Sequence, residues 1–348
     1  MKINILTFSK VYNRGANMQA YALKTFLEKY GAEVRFIDIQ LPKSKSMNIS
    51  GRIYEFIQNI LSNKFRVQTN FKFTKKYSSS YELLKDPPIA DVYIVGSDQV
   101  WNPDLTKDLG PLIYFFNFLP EGAKRVSYAA SIGTDIWKHD ELCSSIKQYL
   151  LKFHAVGVRE DSASEICKTK FGINAEVVVD PTLLLSENDL RTIIGKNNIL
   201  KNQTFVYLLY ENNEIKELVK TIHSLSRNEK LQGLLDNKLL KILNFYTIKD
   251  WLIKINSSNL VVTNSFHCMV MSILLHKNFV VIPPYPGRET RILSLLNKIG
   301  LFHRYVDHIN DMTKIQNLLN SKIDYDKIDE NIRLLRKKSE NFIYNNIF

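Results

Sequence analysis

His267 stands where this sequence places its most chemically suggestive pattern. It follows Asn264-Ser265-Phe266, at the point where the apolar run Leu260-Val261-Val262 gives way to Met269, Val270, Ile273 and Leu274 at helical spacing. Asn264 and Ser265 are natural N-caps, whose side-chain oxygens accept from the orphan N–H groups of a first helical turn. A strand that feeds a helix through such a turn aims backbone donors and a positive dipole end above the sheet, which suits an anion. His267 then lies in the first turn beside that anion site, with a side chain suited to acid–base work. The same position also fits a core histidine bonded to a nearby carbonyl.

Four further segments carry dense polar or basic residues just past apolar runs. In Asn13-Arg14-Gly15-Ala16-Asn17-Met18-Gln19, Gly15 permits tight backbone and Asn17 is placed to cap a following helix, a candidate anion loop flanked by Asn13 and Gln19. In Val95 to Pro103, Gly96 ends a strand and Ser97, Asp98, Gln99 and Asn102 crowd together; turn chemistry is the competing reading. Arg159, after Ala155-Val156-Gly157-Val158, has the planar fork for a phosphate or carboxylate, or for an ion pair with Glu160 or Asp161. The stiff run Pro283-Pro284-Tyr285-Pro286-Gly287 delivers Arg288 and Arg291 to a helix start, where a basic residue opposes the dipole and calls for an anion unless Glu289 neutralises it.

Other chemistries are disfavoured. There is no Gly-x-x-x-x-Gly-Lys-Ser/Thr loop, no Gly-x-Ser-x-Gly elbow and no Gly-x-Gly-x-x-Gly. Cys143, Cys167 and Cys268 are widely spaced, so neither a zinc site nor a disulfide framework is indicated, and a reducing compartment is the simplest setting. No stretch approaches the ~20 apolar residues of a membrane span, and the opening MKINILTFSK is too short in its apolar run for a signal peptide. A cytoplasmic protein is expected.

The elements that must hold these residues read as alternating strands and helices. Residues 2–8, 17–30 and 33–39 form a βαβ opening, followed by strands at 92–95, 125–128 and 155–158 and one more at 175–179. Asp180-Pro181 is a turn signal and a plausible boundary. The pattern then restarts with strands at 204–210, 239–243, 260–263 and 279–282 and a helix over 213–226. At 348 residues two domains are natural. The expectation is an α/β protein with domains at 1–178 and 179–348, the last helix packing back on the first, and a ligand cleft between them.

The net charge of +12 points to an anionic partner: a phosphorylated substrate, a membrane surface or nucleic acid. Much of it is local, since residues 43–76 carry Lys43, Lys45, Arg52, Lys64, Arg66, Lys72, Lys75 and Lys76 against the single acidic Glu55. Within that stretch Ile53, Phe56, Ile57, Ile60 and Leu61 share one helical face. It reads either as a basic helix packed on the first domain or as an arm that meets anionic lipid or an anionic acceptor.

In chain order, Gly15-Ala-Asn-Met-Gln-Ala-Tyr-Ala-Leu23, Gly96-Ser-Asp-Gln-Val-Trp-Asn-Pro103, Ser127-Tyr-Ala-Ala-Ser-Ile-Gly133, Arg159-Glu-Asp-Ser162, Asp180-Pro-Thr182, Thr263-Asn-Ser-Phe-His267 and Arg291-Ile-Leu-Ser-Leu-Leu296 together resemble the polysaccharide pyruvyl transferase family. That resemblance implies two Rossmann-like domains facing across a cleft, GT-B-like. It also implies transfer of pyruvate from phosphoenolpyruvate onto a sugar as a ketal, with no metal and no cofactor beyond the donor. His267 is then the acid/base or steadies the leaving phosphate, and Asp98 is a second base. Arg159, Arg291, Arg288 and the helix start at Ser265 are expected to hold the donor, with Asn264, Asn13, Gly15, Asn17, Gln19, Ser97 and Gln99 also lining the substrate. Two departures from the family pattern stand out. Asn264 and Cys268 replace the Asp and Gly of Asp-Ser-Phe-His-Gly, and Ser265 occupies the place of the arginine that other members carry in Arg-Leu-His. Expected partners are a sugar or lipid-linked oligosaccharide acceptor and peripheral contact with the inner membrane face, and no nucleic acid. A GT-B glycosyltransferase using a nucleotide sugar, or a non-catalytic polysaccharide-assembly protein, are the competing readings.

Overall fold

The computed structural model describes residues 1–11, 13–40, 49–195, 201–227, 230–233, 246–308 and 312–348. The expected strand at 239–243, and Lys43 and Lys45 of the basic stretch, lie outside the described residues. The chain divides into two compact units, one of Met1–Leu184 with Leu335–Phe348 and the other of Leu185–Leu334.

The first unit runs β1 (Lys2–Leu6), α1 (Arg14–Lys29), β2 (Glu33–Ile39), α2 (Ile49–Gln68), β3 (Phe73–Tyr77), α3 (Ser80–Lys85), β4 (Val92–Val95), α4 (Pro103–Thr106), β5 (Arg125–Ala130), α5 (Cys143–Leu150), β6 (Ala155–Val158), α6 (Asp161–Ile166) and β7 (Glu176–Val177). Its seven strands pair in parallel in the order β3-β2-β1-β4-β5-β6-β7. β4 is buried throughout and β1 from Ile3 onward, which is why both read as continuous apolar runs. The order reverses between β1 and β4. Open α/β sheets bind ligands at such a switch point, outside the carboxyl ends of the strands.

The second unit continues with α7 (Glu187–Ile194), β8 (Lys201–Tyr207), α8 (Asn213–Ser226), β9 (Lys230–Gln232), α9 (Ile248–Ser257), β10 (Ser258–Thr263), α10 (Phe266–Leu274), β11 (Asn278–Val281), α11 (Thr290–Ile299), α12 (Met312–Asn320) and α13 (Tyr325–Ile347). Among the described residues its sheet is parallel with the order β11-β10-β8-β9, so its switch point lies between β8 and β10. Each unit is thus a Rossmann-like α/β sheet. No helix among the described residues is long and apolar enough to cross a membrane.

Several boundaries differ from the sequence reading, each for a local reason. α1 starts at Arg14 and not at residue 17, because Asn13 is the cap: its Oδ1 accepts from the Ala16 N–H at 3.2 Å. The first unit extends past residue 178 to Leu184, since Asp180 is hydrogen-bonded to Ser97 and Arg159 of that unit. The end of α13 also belongs there, where Ser339 Oγ accepts from the Val179 N–H at 2.9 Å and Arg336 Nε donates to the Leu183 carbonyl at 2.7 Å. The basic stretch is not one arm, for β3 closes it as an edge strand of the sheet.

Candidate active site

In the second unit the strand-to-helix turn forms as its caps dictate. Ser265 has extended backbone and its Oγ accepts from the Cys268 N–H at 3.4 Å, while Thr263 Oγ1 accepts from the Ser265 N–H at 3.0 Å. His267 is the second residue of α10, buried to 7% exposure, its ring edge-on to Phe266 at 5.3 Å. The first turn of α10 carries no acidic residue, so its dipole is not offset from within. Arg291, second in α11, places its guanidinium 5.8 Å from the Phe266 ring centroid, within cation–π range. A helix N-terminus, an imidazole and a guanidinium therefore gather around Phe266.

Asn264 has a different role from the one expected of it. It is buried, its Oδ1 accepts from the Leu209 N–H at 2.8 Å, and its Nδ2 donates to the carbonyls of Tyr210 at 2.7 Å and Pro283 at 3.2 Å. One amide thus ties together the loops after β8, β10 and β11, and both of its N–H donors are taken. The two carbonyls also explain the asparagine. A carboxylate there would set two acceptors against an acceptor. Within the clamped loops Tyr210 meets Tyr285 edge-on at 5.3 Å, and Arg288 lies 5.5 Å from the Tyr285 ring centroid. Tyr285, Tyr210 and Phe266 were not among the expected site residues, because aromatic side chains between prolines or beside a cap carry no local chemical signature.

The neighbouring Cys268 is excluded as a nucleophile. It is fully buried, and burial pushes its thiol up to about 12, far from the thiolate that reacts.

In the first unit the switch point holds a network of buried polar groups. Thr7 Oγ1 donates to the Ser97 carbonyl at 2.7 Å, and Gln19 joins both, its Nε2 donating to Thr7 Oγ1 at 3.0 Å and its Oε1 accepting from the Ser97 N–H at 3.1 Å. Asn17 Nδ2 donates to the carbonyls of Val11 and Asn13 at 2.8 Å each, and its Oδ1 accepts from Arg66 at 3.1 Å. Asn17 and Gln19 are fully buried struts, so their amides are not open to a substrate as expected. Asn13 remains exposed as the cap, and Gly15 lies buried in the first turn of α1.

Gly96 is required where it stands. Its φ of +111° is glycine's region, and a Cβ would meet the Tyr128 carbonyl oxygen at 2.3 Å. Ser97 follows, fully buried, donating through Oγ to Asp180 Oδ2 at 3.0 Å. Gln99 is buried beneath Gly133, where an added Cβ would meet the Gln99 amide at 2.6 Å. Asn102, which the sequence grouped with these residues, instead caps α4.

Arg159 is held in a cluster of carboxylates. Its Nη1 lies 2.6 Å from Asp180 Oδ2, its Nη2 3.5 Å from Asp98 Oδ1 and its Nε 3.7 Å from Glu160 Oε2. Burial alone would lower its pKa, but Asp180, Asp98 and Glu160 together outweigh that and hold it raised. One cation amid three carboxylates leaves a negative balance, which opposes a doubly anionic donor. The competing ion-pair reading offered Glu160 or Asp161; Glu160 is in range, but the short contact is with Asp180, brought in from the turn after β7. Glu160 in turn accepts from Ser131 Oγ and the N–H groups of Ile132 and Gly133 at 2.8–3.0 Å. Asp98 is the only one of the three carboxylates that is partly exposed, and it holds a positive φ of +79°, a strained backbone for a non-glycine residue.

Two Rossmann-like units with ligand loops at strand ends define the fold class of GT-B glycosyltransferases. Solved structures of that class agree: LpCGTa in complex with UDP matches at a TM-score of 0.51 and 12% identity, over 99% of this chain and 98% of its own. Arabidopsis thaliana UGT89C1 with UDP-L-rhamnose matches at 0.51 and 9%, over 97% and 94%. At such identities the likeness carries the fold alone. The chain belongs to the polysaccharide pyruvyl transferase family, whose model matches residues 13–284. No curated protein matches it. Arg288 and Arg291 lie beyond the matched span, so their roles rest on geometry.

Proposed function

We propose that this pyruvyl transferase takes the pyruvyl group from phosphoenolpyruvate and joins it to two hydroxyls of a sugar in a surface polysaccharide or its lipid-linked precursor. Two sugar oxygens bond to C2 of the donor, the C2–O bond to phosphate breaks, and the two hydroxyl protons end on the C3 methyl and the departing phosphate. The observation that carries this reading is the acid-free N-terminus of α10, with His267 in its first turn and Arg291 across the Phe266 ring. Backbone donors and a guanidinium suit the phosphate and carboxylate of the donor. His267 delivers the proton to C3 or steadies the leaving phosphate. Asp98, partly exposed and held by Arg159, is the base for a sugar hydroxyl. The reaction needs no bound cofactor, and the working place is the cytoplasmic side of the membrane that carries the acceptor.

The test is thermal. Phosphoenolpyruvate should raise the melting temperature, since a ligand bound by the native state alone stabilises it. UDP and GDP sugars should not. Stabilisation by a nucleotide sugar in place of phosphoenolpyruvate would convert the reading to a glycosyltransferase, and indifference to both to a non-catalytic assembly protein.

A further inference from the structure

Helix α2 is mounted with its polar side inward. Gln58, Ser62 and Arg66 are buried together with Phe65, and at 100° per residue these four fall on one side of the helix. The opposite side exposes Ile53 at 53%, Phe56 at 66%, Ile60 at 53% and Val67 at 70%, with Ile57 and Leu61 half-buried at its margin. A surface helix of a soluble protein normally turns its apolar stripe to the core. Here the stripe faces outward for about four turns, or roughly 21 Å from Ile53 to Val67.

The inverted mounting is well anchored. Arg66 Nη1 donates to Asn17 Oδ1 at 3.1 Å and to the Ser9 carbonyl at 3.4 Å, and Phe65 packs edge-on against Tyr21 at 5.6 Å. The helix is thereby bolted to the loop after β1 and to the first turns of α1, at the switch point of the first unit.

We propose that the outer face of α2 is a docking surface for an anionic lipid bilayer. Charge decides between occupants. Lys64 projects from the middle of the stripe and is exposed, and Lys72 and Lys76 follow it exposed on the same segment, in a chain of net charge +12. Two copies meeting stripe to stripe would bury the Lys64 ammonium among the apolar side chains of Phe56, Ile60 and Val67. A bilayer with anionic head groups instead takes the apolar side chains into the acyl boundary while the long lysine stem lets the ammonium reach the head groups. This goes beyond the transfer chemistry, and it gives the lipid-linked acceptor a route: the helix that meets the membrane is hydrogen-bonded through its inner side, at Arg66, to the loop that opens the first unit's ligand end.

The test uses the full chain with vesicles of phosphatidylglycerol and phosphatidylcholine, and with phosphatidylcholine alone, in flotation. The wild type should float with the anionic vesicles at low salt and be released at high salt, because head-group attraction is screened. Lys64→Gln should weaken capture about fivefold, the effect of about one surface charge. The triple variant Phe56→Ser, Ile60→Ser, Val67→Ser should not float at any salt, yet should melt with the wild type, since those side chains hold nothing within the fold. Failure of the wild type to float would overturn the proposal, as would capture of the triple variant equal to the wild type. A wild-type dimer in gel filtration that the triple variant dissolves, without vesicle capture, would make the stripe a contact between copies. None of these readouts involves phosphoenolpyruvate, so they stand or fall apart from the donor chemistry.

Discussion

Arg159 and Asp180 meet at 2.6 Å between a guanidinium nitrogen and a carboxylate oxygen, both residues buried at the end of the first sheet. The pair ties the turn after β7 to the loop after β6, while Asp180 Oδ1 also accepts from the N–H and hydroxyl of Thr182. Removing one member of such a pair strands the other, at a cost of roughly 3–5 kcal/mol. Arg159→Ala should therefore lower the urea midpoint sharply, and any loss of activity should come through the fold or through the freed Asp98 and not through donor binding. A variant of wild-type stability that fails only to bind phosphoenolpyruvate would return Arg159 to the donor pocket.

Arg291 should behave in the opposite way. It is half-buried beside Phe266, and its proposed role is to meet the donor. Arg291→Ala should fold and lose the stabilisation by phosphoenolpyruvate, a charge left unpaired on binding being worth about 2–5 kcal/mol. Lysine should rescue poorly, lacking the planar fork. Donor affinity unchanged in the alanine variant would remove Arg291 from the site.

Asn264→Asp changes shape hardly at all, yet it replaces the donor that faces the Tyr210 and Pro283 carbonyls. The expected loss is on the order of 1–3 kcal/mol for buried groups left unmade, seen as a lower urea midpoint. An unchanged midpoint would mean that the three loops do not depend on this amide.

The cysteines should label selectively. Cys167 and Cys268 are buried, with thiols pushed up to about 12, so neither supplies much thiolate near neutral pH. Native protein treated with iodoacetamide should take one label, at Cys143, which is partly exposed. Cys268→Ala should remain active. Rapid native alkylation at Cys268 would contradict the packing around α10.

What the sequence made legible was local. Val92–Val95 and Ala155–Val158 are apolar runs, Glu33–Ile39 is a β-branched and aromatic segment after the Gly31 turn, and Asn213–Ser226 repeats its apolar residues at helical spacing, so each formed at the expected limits. The turn at Ser265 followed from its caps. Pairings across strand ends were not legible, because they depend on sheet order. Asp180 is 21 positions from Arg159 and 83 from Ser97, and beside Pro181 it looks like a turn residue. The apolar stripe of α2 was visible, but periodicity does not say which side meets the protein. That was decided by Arg66 reaching Asn17, a contact 49 positions long.

The central claim is that phosphoenolpyruvate is the donor and that His267 serves its transfer. Mass spectrometry of a lipid-linked or model glycan, incubated with phosphoenolpyruvate and the enzyme, tests it most directly. The account predicts a product heavier by one pyruvate less one water, with phosphate released in equal amount, and no such product from a folded His267→Ala variant. A hexose gain from a nucleotide sugar, or a pyruvyl gain that survives in His267→Ala, would contradict it.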